Sequence, residues 1–591
     1  MATASVSLVN ASGNLSIDSL LCGNKWSSAS LTYSFPVAGS TFLVDYSSSQ
    51  EPWNGFGAAT SSQQAGLRQA LTLWASVANL SFSEITEPGS SGVLRFGRSS
   101  ATETASGYLP STSESGGDAW FGYNFDYTNP QWRTYSNYAF TTMLHEIGHC
   151  LGLKHPGYYG DGDEAPYATA SEDCLEYSVM SYLSYAGASS VGGYSVADDS
   201  YPQTPMLNDI SAMQYLYGAN YSYNADNTRY VFSPSDAKIF KTIWDGNGID
   251  TYDASAYASG VVLQLEPGYW STLSEAQVAD LGNGVKASGN VMNARLYNGN
   301  AQSLIENAVG GSGDDTLRGS SGDNSLDGGA GADQLWGWSG GNDTLTGGLG
   351  SDAYWWGNTD GQDVIVADAY MGSDVLRLYD ILPGSYQAGN RGGALVLQSA
   401  AGATLTLSNW YQQNGTERLQ SFVMGDQTAY AWNNGAGAVV NLYDSVYEAA
   451  VHKAVAAEDS HCILRGSSQD DTLQGAGGGD DLWGGTGGND LLIGGGGYDT
   501  YWFDASAGTD TVAASSTNYQ DVLRFQNSWL PEQLSVSLQG ADLHLGNGSS
   551  NVVLAGWGQV GGYQLNQFYF AQTGSTYSLS MATGQAIWSV V

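Results

Sequence analysis

The chain has 591 residues and a formal net charge of −39, from 57 acidic and 18 basic residues. This length predicts several domains, each large enough for its own core. The shortage of Lys and Arg argues against nucleic acid and anionic membrane surfaces as partners, and no apolar run is long enough to span a membrane.

The N-terminal part of the chain predicts a mixed α/β domain. Residues 1–17 are small and polar and predict a mobile leader, without the basic start and apolar core of a conventional secretory signal. Apolar residues at helical spacing predict an amphipathic helix over residues 61–77. Strands are predicted over 80–85, 93–96, 104–110 and 118–123, a helix from Thr141 with threonines as candidate caps, and a short helix over 207–220.

The helix from Thr141 carries the pattern H-E-x-x-H-x-x-G-x-x-H. His145 and His149 are four residues apart and share one helix face, and Gly152 can take the positive φ that turns His155 back toward them. Three neutral imidazoles leave one open position on a tetrahedral Zn²⁺, the pattern of a catalytic site. Glu146, beside the first ligand, is the candidate general base.

Cys150 follows a predicted zinc ligand, and Cys174 lies six residues before Met180. Two alternatives are open for this pair: a disulfide beside the site, or two buried free thiols.

Beyond residue 310 the sequence repeats in units of nine residues, with one unit of ten. The pattern G-G-x-G-x-D-x-U-x is that of a calcium-binding parallel β-roll. Its glycines allow tight turns, its polar position offers hard oxygen ligands, and its apolar position points into the roll. The apolar residues are Leu317, Leu326, Leu335, Leu345 and Tyr354, and the candidate calcium ligands are Asp315, Asn324, Asp333, Asp343 and Asp352.

A second copy of the repeats lies 147 residues further along the chain. Residues 466–502 carry the candidate calcium ligands Asp471, Asp480, Asp490 and Asp499. The matching register continues beyond the repeats, from Asp363 to Asp510 and from Trp410 to Trp557, so each roll has its own strand-rich tail. Residues 428–462 join the copies, and within them 445–458 have helical composition.

Together, the histidine pattern, Met180 in Ser-Val-Met-Ser-Tyr182 and the glycine–aspartate repeats resemble a known family. The histidine pattern followed by a methionine turn is the metzincin signature. With the repeats, residues 18 to about 430 resemble the serralysins, secreted bacterial metalloproteases. The resemblance implies a fold of an α+β metzincin catalytic domain followed by two calcium-binding parallel β-roll (RTX) modules with β-sandwich-like tails, mostly β in the C-terminal half.

The resemblance also implies residue roles. His145, His149 and His155 bind one catalytic zinc, Glu146 is the base, and Met180 lies under the metal. Tyr182 is similar to the tyrosine that ligates zinc at rest and then stabilises the oxyanion. The strand around 104–108 is similar to the edge strand that pairs with substrate. Asp245, Asp250 and Glu306 match a further calcium site, and several structural Ca²⁺ ions are expected.

The resemblance predicts five segments: a propeptide-like leader at 1–17, a protease domain at 18–225, a first roll module at 226–427 with repeats at 310–355, a joining segment at 428–462, and a second module at 463–591 that ends in a secretion signal. The implied function is a secreted, extracellular zinc metalloendopeptidase that acts on protein and peptide substrates, leaves the cell through a one-step (type I) exporter, and is a monomer. The alternative is a calcium-binding surface-layer or adhesion protein with a vestigial protease domain.

Two departures from the family stand out. Serralysins usually lack cysteine and carry one roll module, whereas this chain has four cysteines and two modules. The final residues 587–591 have the apolar tail of the export signal but lack the acidic residue expected before it. The second module is therefore open to three interpretations: a stability cap, an export aid or a substrate-docking arm.

Overall fold

The computed structural model describes the chain except at residues 1–4, 124–136, 161, 367–373, 382–385, 392–393, 400, 409–420, 424–428, 434–437, 442–445, 449–452, 456–462, 467–468, 476–478, 505–507, 514–520, 527–528, 559–564, 566 and 583–584. The chain forms two compact units, Met1–Leu326 and Asp327–Val591. The boundaries predicted for five segments stay a prediction.

The helices of the first unit are α1 (Leu15–Asp18), α2 (Ser61–Val77), α3 (Tyr138–Leu151) and α4 (Leu207–Tyr217). Its strands are β1 (Val6–Leu8), β2 (Asn24–Trp26), β3 (Ser30–Ser34), β4 (Gly57–Ala58), β5 (Ser81–Glu84), β6 (Leu94–Arg98), β7 (Ala105–Gly107), β8 (Ala119–Phe121), β9 (Arg229–Val231), β10 (Lys241–Ile243), β11 (Thr251–Asp253), β12 (Val262–Gln264), β13 (Trp270–Ser271), β14 (Asp280–Gly282), β15 (Val285–Lys286), β16 (Val291–Asn293), β17 (Asn307–Val309) and β18 (Thr316–Arg318).

The strands that follow are β19 (Ser325–Gly331), β20 (Gln334–Trp336), β21 (Thr344–Gly350), β22 (Ala353–Trp356), β23 (Gln362–Ile365), β24 (Val375–Leu378), β25 (Tyr386–Arg391), β26 (Ala394–Ser399), β27 (Thr404–Leu407), β28 (Ser421–Val423), β29 (Ala429–Asn433), β30 (Ala438–Asn441), β31 (Val446–Glu448), β32 (Lys453–Val455), β33 (Ile463–Arg465), β34 (Thr472–Gln474), β35 (Asp481–Trp483), β36 (Leu491–Ile493), β37 (Thr500–Phe503), β38 (Thr509–Val512), β39 (Val522–Phe525), β40 (Ser535–Gln539), β41 (Asp542–Gly546), β42 (Asn551–Leu554), β43 (Gln567–Phe570), β44 (Ser575–Ala582) and β45 (Gln585–Val590).

The N-terminal part of the first unit contains a sheet that is covered by α2 and α3. The sheet has the order β5-β3-β6-β8-β7, so β7 is its last strand among the described residues. α2 coincides with the predicted helix and begins with a capping box formed by Thr60 and Gln63. Its buried Trp74 donates a hydrogen bond from Nε1 to the carbonyl of Leu144 in α3, 3.2 Å away, which fixes one helix against the other.

Two predictions about the N-terminal part are wrong. The predicted mobile leader is ordered from residue 5, because β1 pairs antiparallel with β2 and the Asn14 side chain caps α1. The zinc helix starts at Tyr138 rather than Thr141. Asn137 is the cap, since its side chain accepts the N–H of Phe140, and Thr141 instead donates its hydroxyl to the carbonyl of Pro202.

The second unit consists of strands stacked in the manner of a β-roll. β21, β23 and β27 pair in parallel on one side, and β20, β22 and β24 pair in parallel on the other. β32, β34, β36, β38 and β42 form the corresponding parallel ladder of the second copy. The apolar repeat positions are buried as predicted, with Leu335 and Leu345 at most 2% exposed.

The duplication is present in three dimensions. The strands β20, β22, β23, β24, β27 and β35, β37, β38, β39, β42 correspond at the offset of 147 residues that the sequence predicts. The helical composition of residues 445–458 does not produce a helix in the described residues, which form β31 and β32 instead. β31 pairs in parallel with β33, so strand pairing outweighs local propensity here.

Candidate functional site

α3 and the turn after it bring three histidines together. Gly152 ends α3 with φ of 116°, a left-handed conformation that favours glycine. A Cβ on Gly152 would lie only 2.7 Å from the carbonyl oxygen of Asn24. The Nε2 atom of His149 lies 3.1 Å from the Nε2 atoms of both His145 and His155. The three form the group of potential metal ligands found among the described residues.

Each histidine is oriented by a partner at Nδ1. His145 Nδ1 lies 2.8 Å from the carbonyl of Val179, and His149 Nδ1 lies 2.8 Å from that of Leu153. His155 Nδ1 lies 3.0 Å from Oδ1 of Asp163. These acceptors favour the tautomer with the proton on Nδ1 and leave Nε2 free to bind a metal. Burial lowers the pKa of His145 to about 3 and that of His149 well below its usual value, so both are neutral, as ligands must be. Burial also lowers the pKa of His155, against the raising effect of Asp163, so three converging neutral nitrogens fit a zinc ion.

Glu146 lies buried on the same helix, against the edge strand β7. Burial raises the pKa of its carboxyl to about 8, and a hydrogen bond from the N–H of Gly107 partly offsets that rise. A Cβ on Gly107 would lie 2.6 Å from the carbonyl oxygen of Glu146 and 3.0 Å from its Oε2. Glycine in β7 therefore permits the close approach of the strand to the carboxylate.

Tyr182 and Met180, two of the predicted site residues, both lie against the histidine helix or its ligands. The Tyr182 ring lies 5.6 Å from the ring of His145, nearly parallel to it, and 4.4 Å from the ring of His155. It is 39% exposed, so its hydroxyl can reach a bound substrate. Met180 is fully buried, and its Sδ would lie 2.6 Å from a Cβ on Gly148, under the histidine helix.

Two carboxylates at the site carry no signal in the sequence. Asp163 holds His155 and also accepts the N–H groups of Tyr159, at 2.8 Å, and Gly160, at 3.1 Å. Burial opposes ionisation of Asp163, but these hydrogen bonds hold its pKa below the usual value.

Asp209 in α4 is fully buried and accepts hydrogen bonds from the Ser178 hydroxyl at 2.6 Å and the N–H of Val179 at 2.8 Å. Burial raises its pKa to about 7, against the lowering effect of those bonds. Asp209 thereby fixes the segment whose carbonyl orients His145. Neither carboxylate belongs to the histidine pattern, so only the folded chain shows their roles.

A cleft of about 210 Å³ opens beside the histidines. Its walls include Ala105 of β7, Tyr138, Thr142 and Glu146 of α3, and Tyr182 and Tyr194 from the segments after it. The cleft therefore joins the candidate general base, the candidate hydroxyl donor and a strand that ends the sheet among the described residues.

The predicted calcium residues Asp245, Asp250 and Glu306 lie close together. Glu306 accepts the N–H of Asp250 at 2.7 Å, and Asp250 accepts the N–H of Thr228 at 2.7 Å. Burial raises the pKa values of all three carboxyls, that of Glu306 to about 7. Buried acidic groups at this spacing favour a bound cation.

The repeat carboxylates of both rolls are buried and stacked. The N–H of Asp480 donates to Oδ1 of Asp499 at 2.9 Å, and the N–H of Asp499 donates to Asp521 at 2.9 Å. Oδ2 of Asp499 is buried and has no hydrogen-bond partner in the described residues, and burial raises the pKa of this carboxyl to about 7. A hard cation would satisfy such an oxygen. The same stacking joins Asp333 to Asp352, Asp343 to Asp363, Asp352 to Asp374, and Asp471 to Asp490, whereas Asp315 accepts the N–H of Val261 and Asn324 that of Ser320.

Of the two alternatives for the cysteines, the structure has free thiols. Cys22, Cys150 and Cys174 are unpaired, and the latter two are buried. Burial raises the pKa of Cys150 well above its usual value, so this thiol is not poised to react. Cys462 lies outside the described residues.

Comparisons with known proteins agree with this geometry. A family model described as Matrixin matches residues 44–160, and one described as RTX calcium-binding nonapeptide repeat matches residues 309–341, 339–354, 463–487 and 485–501. The chain thus contains a matrixin domain, which implies zinc, and RTX repeats, which imply calcium. No helix in the described residues is long and apolar enough to cross a membrane.

Several curated proteins are similar to the N-terminal half. Metallopeptidase AprA of Pseudomonas marginalis is 34% identical over 310 residues, covering 49% of this chain and 60% of that protein. Serralysin A of Dickeya chrysanthemi is 34% identical, covering 49% of this chain and 58% of that protein. Serralysin of Photorhabdus luminescens is 36% identical over 298 residues, covering 45% and 55% respectively. The chain spans less than two thirds of the length of these relatives.

Proposed function

We propose that this chain is a secreted zinc-dependent metalloendopeptidase whose C-terminal repeats fold with calcium. The observation that carries the proposal is the convergence of three neutral Nε2 atoms beside a buried glutamate in an open cleft. The similarity to proteins named metallopeptidase and serralysin supports it.

His145, His149 and His155 would hold one zinc ion. Bound there, zinc would supply Lewis acidity that polarises the scissile carbonyl and lowers the pKa of water toward about 7. Glu146 accepts the proton of the attacking water and passes it to the leaving amine, and its raised pKa suits both directions of transfer. Tyr182 donates its hydroxyl to the developing oxyanion.

An extended peptide would bind along β7. This strand pairs antiparallel with β8 on one side and ends the described sheet on the other, so its outer edge can accept another strand. The main chain of the substrate would then run past Glu146 with one side chain in the cleft. Because this mode of binding needs an extended polypeptide main chain, the expected substrates are proteins and peptides.

Several structural Ca²⁺ ions would occupy the repeat carboxylates and the group of Asp245, Asp250 and Glu306. Folding of the calcium-free repeats would bring buried carboxylates together, which is unfavourable. The free energy of calcium binding therefore contributes directly to the free energy of folding. A roll that folds only at high calcium suits export by a one-step exporter to an extracellular destination, and we expect a monomer.

Replacement of the base tests the peptidase proposal directly. Glu146→Gln keeps the size of the side chain and should lower kcat/KM on casein by at least about 100-fold while zinc content stays unchanged. Glu164→Gln is the matched control, because Glu164 is exposed and lies nine residues beyond the nearest histidine ligand, His155. Equal turnover by Glu146→Gln and the unmodified chain would refute Glu146 as the base, and absence of zinc-dependent turnover by the unmodified chain would favour the vestigial-protease alternative.

A further inference from the structure

Each roll module displays a row of three side chains on its outer face. The members of a row are register neighbours on adjacent parallel strands and are partly exposed, whereas the alternate residues point inward and are buried. The row of the first module is Trp336, Trp355 and Arg377, and the row of the second is Trp483, Trp502 and Arg524. We call these the Trp-Trp-Arg rows.

The two rows share the packing of the arginine on the middle tryptophan, whereas Trp336 of the first row also packs on Trp338 and Tyr379. The Arg377 guanidinium lies 5.3 Å from the centroid of the Trp355 ring, and that of Arg524 lies 5.2 Å from the centroid of Trp502. In the second module, Nε1 of Trp502 also donates to Oδ1 of Asp481 at 3.1 Å. Each row thus offers two indole rings beside a guanidinium that can donate hydrogen bonds.

Comparison of the two copies shows which outward-facing residues are identical in both. All three row positions are identical in the two copies at the offset of 147 residues. Outward positions on the opposite sheet of the roll have diverged: Thr344 and Leu491, Thr346 and Ile493, Val364 and Thr511, Thr406 and Val553. Even next to the rows, Gln334 matches Asp481 and Ala353 matches Thr500. Neither the core of the roll nor its calcium ligands require tryptophan at these outward positions.

We propose that the Trp-Trp-Arg rows bind a neutral polysaccharide, whose sugar rings stack on the indoles while the guanidinium donates to ring hydroxyls. In the first row the ring centroids of Trp336 and Trp355 lie 6.5 Å apart with their planes inclined at 36°, and the strand register sets the three side chains in a line across the strands, which suits a linear polymer of rings. The net charge of −39 repels nucleic acid and polyanionic glycans. Three partly exposed side chains cover far less than the about 800 Å² that each partner buries in a standard protein interface.

Two rows in one chain predict bivalent binding. A repeating polymer can occupy both rows at once, and the second contact then forms at high effective concentration. The loss of one row should therefore weaken binding more than twofold, and the loss of both should abolish it.

A binding assay with insoluble polysaccharide tests the proposal. The full chain, saturated with calcium, is mixed with the polysaccharide, and the protein that remains in solution is measured. The probes are microcrystalline cellulose, insoluble β-1,3-glucan and insoluble mannan. We expect at least one of them to deplete the chain from solution. Replacing one row, as Trp336→Thr with Trp355→Thr, should raise the apparent Kd about tenfold or more, and replacing both rows should abolish depletion. Thr346→Ile with Val364→Thr is the control, because each introduces the residue that the second copy carries on the opposite sheet.

Thermal unfolding in calcium and cleavage of a short peptide accompany each variant. We expect both to stay unchanged, since the rows lie outside the catalytic machinery. If the double-row variant fails to fold, Trp336→Phe with Trp483→Phe keeps a ring at each position and should weaken binding several-fold. Three results would overturn the proposal: no depletion by any probe, depletion that survives loss of both rows, or loss of binding only together with the calcium-dependent transition, which would make the rows structural.

Discussion

Asp163→Asn should weaken zinc binding although Asp163 is not itself a predicted ligand. Its Oδ1 lies 3.0 Å from His155 Nδ1, and its Oδ2 accepts the N–H groups of Tyr159 and Gly160. An asparagine must turn its amide nitrogen toward one of these sides. Turned toward His155, it donates to Nδ1 and favours the tautomer that carries its proton on Nε2, which cannot bind metal. Turned toward Tyr159 and Gly160, the amide nitrogen faces two backbone N–H donors and cannot accept from either of them.

The magnitude follows from the kind of contact that is lost. Replacing the carboxylate that orients a metal-bound histidine costs about 10-fold to 100-fold in metal affinity. Since each tenfold change corresponds to about 1.4 kcal/mol, the variant should lose about 1.4 to 2.8 kcal/mol of zinc-binding free energy. The histidine ligands stay in place, so zinc should still bind.

Competition with a chelator of known zinc affinity, near neutral pH and in saturating calcium, measures this loss. Glu164→Gln removes the same charge from the adjacent, exposed residue and should leave affinity unchanged. Equal zinc affinities for Asp163→Asn and the unmodified chain would refute the argument that Asp163 sets the tautomer of His155. An equal loss in both variants would show that only net charge near the site matters.

Three further predictions concern the rest of the chain. Tyr182→Phe keeps the ring stacked on the histidines but removes the hydroxyl, so kcat on a peptide substrate should fall about 100-fold to 1000-fold with little change in KM. Gly152→Ala forces alanine to φ of 116° with its Cβ 2.7 Å from the Asn24 carbonyl, and should lower the free energy of unfolding in urea by about 1 to 3 kcal/mol. EGTA should unfold the repeats as seen by circular dichroism. Because the pKa of Asp499 is raised to about 7, protons stabilise the calcium-free roll and that stability is lost as pH rises from about 4 to about 7, so a roll already freed of calcium should retain more structure at about pH 5 than at about pH 8.

The parts of the fold that could be predicted from the sequence are those in which apolar residues recur at a regular spacing. The helix over residues 61–77 and the buried apolar positions of the repeats follow from spacing alone, and the 147-residue offset follows from the repeats. The prediction failed where a tertiary contact outweighs local composition. Residues 1–17 are mostly small and polar, yet Val6–Leu8 within them form β1, which pairs with β2. The helical composition around β31 and β32 likewise gives way to pairing with neighbouring strands.

The candidate site divides in the same way. The ligand pattern, the base and the methionine turn have fixed spacings and could be found in the sequence. Asp163 and Asp209 could not, because they act through contacts that span 8 residues to His155 and 30 residues to Val179. A single aspartate in a loop or a helix belongs to no sequence pattern. Its role can be recognised only when the structure shows which histidine it orients.

The unspecified positions of the histidine pattern are also constrained by the fold. Gly148 stands between the two helical histidines, where a Cβ would lie 2.6 Å from Sδ of Met180 and 3.4 Å from the ring of Trp74. A larger residue would push the helix away from the methionine turn, and Val179 of that turn supplies the carbonyl that orients His145. The pattern and the methionine turn are therefore not two independent signals, because glycine at 148 is what allows them to pack as one site.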